Sequence, residues 1–208
     1  MTNTLHRRGS VEELSHDFVM FAIPARGIND AGCRPKLQQF IRLVLRHGPV
    51  NLGDARQGQR HSDDFEKLIA GLTDKSIATA TFDNREALLA ALREVQAADL
   101  GISINVTGLI DTVDGCCREI GRRRHGVEHS LGIKGATDRL PNRNVLAVGT
   151  LCGHGMVSFN LIQRVLQLIK LNKLSPAEGA EMLRRPCVCG AFNPERAREI
   201  LEQMRTLG

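Results

Sequence analysis

The stretch Ser76–Gly108 constrains the fold more than any other part of the chain. "SIATATF" (76–82) is rich in β-branched residues, "REALLAALREVQAA" (85–98) has a strong helical period, and "GISINVTG" (101–108) returns to a strand pattern. Asp83 or Asn84 caps the helix. A strand, a helix and a second strand in close succession predict a β-α-β unit, with parallel strands and a right-handed crossover.

The flanking sequence repeats the alternation. "HDFVMFAI" (16–23) is a compact apolar run closed by Pro24 and Gly27, and it reads as a buried strand. In "AGCRPKLQQFIRLVLRHG" (31–48), Leu37, Phe40, Ile41, Val44 and Leu45 fall at helical spacing behind Pro35. "LIDTVDGCCREIGR" (109–122) reads as a helix, "GVEHSLGIKG" (126–135) alternates like a strand, and "VLAVGT" (145–150) reads as a buried strand. "MVSFNLIQRVLQLIKLNKL" (156–174) is the longest helical pattern. Ser10-Val-Glu-Glu13 and Ser175-Pro-Ala-Glu178 are capping boxes, and Asn193-Pro194 opens a last helix. The expected class is α/β, or a layered α+β, with a central mixed, partly parallel sheet and helices packed on it. The expectation is a single domain over 1–208. A boundary, if there is one, falls in the polar stretch near 53–61, ahead of a short helix capped by Ser62.

A chain of 208 residues with 42% hydrophobic residues can bury a core without disulfides. The first residues lack the apolar run of a secretory signal, and no stretch approaches the ~20 apolar residues of a membrane span. A cytoplasmic protein without a membrane partner is expected, and its six cysteines are then expected to be reduced. The chain has no Trp and no Tyr, which argues against nucleic-acid binding by base stacking. Net charge is +5, and the dense run Arg122-Arg-Arg-His125 reads as a solvated helix end.

The cysteines carry the strongest chemical signal. Cys33, Cys152 and Cys189 each precede an expected helix start, where free N–H groups and the helix dipole favour thiolate. Cys187-Val-Cys189, between Pro186 and Gly190, would turn two sulfurs toward one point in extended chain. Cys152, Cys187, Cys189 and Cys33 are therefore the candidate metal ligands, with Cys116, Cys117 or His154 as other sources of a fourth. Adjacent Cys116 and Cys117 point about 100° apart on a helix, so one at most faces a site. A free cysteine is also a common core residue, and that reading competes at every position.

His154 stands in "TLCGHGMVSFN" (150–160), two residues after Cys152 and between Gly153 and Gly155. Read as a strand-to-helix turn, this is where α/β proteins bind ligands, with the two glycines shaping a cofactor cradle and Cys152 and His154 as the catalytic pair. No Lys follows, so the turn is not a phosphate-binding loop of the standard kind. His125 and His129 have helical zinc spacing but lack the accompanying glutamate, and His61 sits in the polar loop.

Three functions fit these residues. The first is a cysteine-ligated metalloprotein holding an iron–sulfur cluster, with redox or cofactor-related chemistry on a small-molecule substrate or redox partner protein. The second is a metal-independent thiol enzyme, with Cys152 as nucleophile and His154 as base. The third is a non-enzymatic binding or assembly module with a structural zinc. Each is compatible with a homo-oligomer.

Overall fold

A computed structural model describes residues 7–55 and 65–206; His61 and Ser62 lie outside the described residues. A first turn of helix, α1 (Val11–Leu14), is closed by the expected capping box of Ser10 and Glu13. There follow β1 (Phe18–Ile23), α2 (Arg34–Leu45), β2 (Asn51–Asp54), α3 (Phe65–Gly71), β3 (Ala78–Phe82), α4 (Arg85–Ala98), β4 (Ser103–Thr107) and α5 (Ile110–Glu119). The C-terminal part is helical: α6 (Arg143–Gly149), α7 (Phe159–Lys170), α8 (Pro176–Arg184) and α9 (Pro194–Thr206).

The four strands form one sheet in the order β2-β3-β1-β4, and every neighbouring pair is antiparallel. The expected partly parallel sheet is therefore corrected to an antiparallel one in an α+β fold. The elements of the 76–108 unit are present, but β1 lies between β3 and β4. Those two strands run the same way without touching. Likewise β1 and β2, joined through α2, have β3 between them. Both units are split β-α-β units, interleaved so that each strand gains an antiparallel partner. Strand and helix periods are the same whether the returning strand lands beside the first or one place away.

The sheet is buried on both faces. Phe18, Met20 and Ala22 of β1 point to one side, with Leu52, Ala80 and Phe82, and meet Leu37, Phe40 and Ile41 of α2 and Leu88 and Leu92 of α4. Val19 and Phe21 point to the other side, into a core made by α6–α9 with Val148, Ile162, Val165, Leu183, Phe192 and Leu201. Double-sided burial explains why β1 is a continuous apolar run rather than an alternating one.

Two further expectations are corrected. Residues 145–150 are helical, because Asn142 accepts the Val145 N–H at 2.9 Å and caps α6. A short apolar run does not by itself separate strand from buried helix. The segment 126–135 forms no strand and is largely exposed. The turn at 152–155 thus follows a helix, and its expected place at the carboxyl end of a strand is withdrawn. No helix among the described residues is long and apolar enough to cross a membrane.

The helical layer meets the sheet most closely at Gly190 (φ +76°). A Cβ on Gly190 would strike the Leu52 carbonyl carbon, and one on Gly53 the carbonyl group of Cys189. Gly53→Ala is expected to cost about 1–3 kcal/mol through overpacking. Gly126→Ala, which meets nothing within 4 Å, is expected to stay within about 0.5 kcal/mol of the parent. Urea unfolding of the two variants compares them directly.

Candidate metal centre

Cys152 follows α6 in a tight turn closed by Gly155 N–H to Cys152 C=O at 3.1 Å, with Gly155 at φ +66°. Ser158 then caps α7 by accepting the Leu161 N–H. Cys187 follows α8, its N–H bonded to the Arg184 carbonyl at 2.9 Å. Asn193 caps the next helix by accepting the Arg196 N–H at 3.0 Å. Both cysteine turns thus sit between the end of one helix and the cap of another, where free N–H groups collect.

Three consecutive carbonyls fix the second turn. Gly190 C=O accepts from Thr81 Oγ1 at 2.8 Å, Phe192 C=O accepts from Asn51 Nδ2 at 2.7 Å, and Ala191 C=O accepts from Arg7 Nη2. Arg7 and Arg196 both pair with Asp17, at 2.8 and 2.5 Å, and all three side chains are buried. Arg8 N–H bonds Thr150 Oγ1 at 3.0 Å, just before the first turn. Arg7–Arg8 therefore ties both cysteine turns to the N-terminal end of β1.

This framework brings three predicted cysteines and His154 together. Cys187 Sγ lies 3.7 Å from Cys189 Sγ, and Cys189 Sγ lies 3.7 Å from His154 Nδ1. Cys152 and Cys187 are also hydrogen-bonded. The three cysteines are 1–2% exposed, whereas His154 is on the surface. The donors run as a chain, Cys152–Cys187–Cys189–His154. Among the described residues, no group of three or more His, Cys, Asp or Glu side chains is arranged to hold a metal ion as it stands.

The electrostatics single out the outer cysteines. The Cys187 S–H bond lowers Cys152 to about 6, against the opposing effect of burial, and N–H groups of Met156 and His154 add to the lowering. The same Cys187 thiol lowers Cys189 to about 6, with help from the Ala191 N–H. Cys187 itself is held well above the ordinary thiol range by its hydrogen bonding with Cys152 or Cys189 and by burial. One S–H serves one thiolate at a time, so the first proton leaves easily and the second less so.

The other candidates lie elsewhere. Cys33 sits across the sheet, in the core beneath α2 and α4, and burial pushes its thiol up. It does precede a helix, but the N–H groups of Gly32 and Arg34 are already taken by Asp74, at 3.0 and 2.8 Å. Cys33 is thus not brought to the group, and neither is Cys116, which shares that core. Burial also raises Cys116 and Cys117. His125 and His129 are exposed in the irregular segment, and Gly153 and Gly155 form the exposed turn that carries His154. Sequence reasoning missed Arg7, Asp17, Asn51, Thr81 and Arg196; Asp17 and Arg196 are 179 positions apart, and no local pattern announces such a pair.

No protein-family model, curated protein or solved structure matches the chain.

In reduced, metal-free protein the ultraviolet thiolate band should titrate first near pH 6, from the Cys152/Cys189 set. Cys187→Ala removes the shared donor and is expected to move that midpoint up by roughly 1–2 pH units. A thiol lowered on folding stabilises the native state above its unfolded value near 9, and this contribution is lost as pH falls through about 6. Metal-free protein should therefore lose stability across that window as it is acidified.

Proposed function

We propose that Cys152, Cys187, Cys189 and His154 hold one tetrahedral zinc ion, and that the protein is an α+β module whose helical layer is fastened by it. One observation carries the reading. Sulfurs bound to a single tetrahedral zinc at about 2.3 Å stand about 3.8 Å apart, and Cys187 and Cys189 are separated by 3.7 Å. A four-iron cluster, one form of the iron–sulfur centre first expected from sequence, places one thiolate on each iron and spreads the sulfurs further apart, whereas a two-iron cluster holds two thiolates on one iron at this same spacing. The spacing therefore fits two thiolates on one metal atom, and the choice of zinc rests on the three-cysteine, one-histidine set, a common zinc donor set.

The chain of donors needs one adjustment, and the residue with most room to make it is the exposed His154. Lowered thiols at Cys152 and Cys189 also favour the reading, because metal must displace protons from its ligands. The ion would join the turn after α6 to the turn between α8 and α9, fixing the ends of the helical layer against the sheet.

A second reading is a metal-independent thiol site, favoured by the Cys189–His154 contact and a thiol near 6. In that case the thiol beside the imidazole is Cys189, with Cys152 the other thiolate of the set.

Anaerobic purification followed by metal analysis separates the readings. Stoichiometric zinc without colour is expected. Iron and sulfide with broad absorbance near ~400 nm would restore the cluster, and absence of metal would leave the thiol site. Chelation of the zinc, or Cys187→Ser, is expected to destabilise the protein by about 4 kcal/mol, or roughly 8–16 °C in Tm. Differential scanning calorimetry with and without chelator measures the change.

A further inference from the structure

A cleft of about 840 Å³ opens between α4, β4 and α5. Pockets that take small molecules span roughly 300–1,000 Å³. Leu92, Val95, Ile104, Val106, Val113 and Ile120 form its apolar wall. The first two belong to the core beneath α2 and α4, across the sheet from the cysteine turns, and the other four are half-buried against it. All six are aliphatic, and among the described residues no Phe lines the cleft. Such a wall packs closely along an alkyl chain and gives a base or sugar ring nothing to stack on.

A basic run forms the facing wall. Helix α5 ends in a Schellman turn: Gly121, at φ +68°, donates to the Arg118 carbonyl and Arg122 donates to the Cys117 carbonyl, both at 2.9 Å. The turn sends Arg122, Arg123, Arg124 and His125 along the cleft. Arg124 is held back against α5 by Asp114, at 3.3 Å. Arg122 and Arg123 are exposed and have no acidic partner among the described residues. Asp99 and Glu128 also line the cleft, and its three arginines leave an excess of positive charge. Two adjacent guanidinium groups beside an aliphatic trough are complementary to an anion carried on a hydrocarbon chain.

We propose that the cleft binds a single-chain amphiphilic anion: an alkyl chain lies along Val95, Ile104 and Val113, and its carboxylate or phosphate head meets Arg122 and Arg123. The site is separate from the cysteine turns and does not depend on the ion proposed to join them. Cys117, half-buried in the same wall, reports on its occupancy.

The test uses the full chain as purified, with saturated probes kept below their critical micelle concentrations. Calorimetric titration should show one site for dodecanoate or dodecyl phosphate, the tighter of the two giving the head group. Within that series, from the eight-carbon to the twelve-carbon chain, affinity should rise about three- to fourfold per added CH₂. Dodecanol should bind at least about tenfold more weakly, and added salt should weaken the anions alone. In Arg122→Glu/Arg123→Glu, which alters exposed side chains, the anions should fall to the level of dodecanol with circular dichroism unchanged. The bound anion should protect Cys117 from alkylation by N-ethylmaleimide, read by peptide mass spectrometry. Uptake of neither anion below its critical micelle concentration, equal affinity for dodecanol, anion affinity unchanged in the double variant, or binding that leaves Cys117 alkylation unchanged would each overturn the proposal.

Discussion

Two backbones touch where β2 meets the turn after Cys189, and the placement of the chemistry depends on that contact. Gly53 and Gly190 leave no room for a Cβ between them. So close an approach buries polar backbone groups, and each must find a partner or cost free energy. Thr81, Asn51 and Arg7 supply partners for the carbonyls of Gly190, Phe192 and Ala191. The turn is thereby fixed on the sheet, and Cys187 and Cys189 with it. The polar residues of β2 and β3 on this face are the seat of the cysteine turn.

Charge follows the same geometry. Arg7 and Arg196 share one carboxylate, Asp17, so a positive charge is left over in a buried region. An uncompensated buried charge is expensive. The nearby cysteine set supplies compensating negative charge as a thiolate on Cys152 or Cys189, with Cys187 the neutral thiol between them. Three thiolates and a neutral imidazole around a doubly charged ion carry one net negative charge, which matches the surplus. A lone thiolate shared between Cys152 and Cys189 carries the same charge. Under the proposed reading, the protein keeps its charge balance whether metal is bound or absent.

Much of this was legible in the sequence, for identifiable reasons. Capping boxes at Ser10 and Ser175 are local and were read correctly, as were α2 and α4, whose periods are long. The grouping of Cys152 with Cys187 and Cys189 was legible because glycine, proline and helix caps surround them. Cys33 has the same local look, but Asp74, forty residues downstream, occupies its helix terminus. Strand adjacency was not legible, because a split β-α-β unit has the same periodicity as an adjacent one. Nor was the helix at 143–149, because its short apolar run fits a buried strand equally well. The buried Arg–Asp–Arg cluster joins both ends of the chain and leaves no trace in any short window.

The central claim is that one ion joins the two cysteine turns. X-ray absorption at the zinc edge of the purified protein tests it most directly. The account predicts three sulfurs at about 2.3 Å and one nitrogen at about 2.0–2.1 Å, with the nitrogen lost in His154→Ala and one sulfur lost in Cys152→Ser. A zinc shell with fewer than three sulfurs, or iron with sulfide in place of zinc, would contradict it.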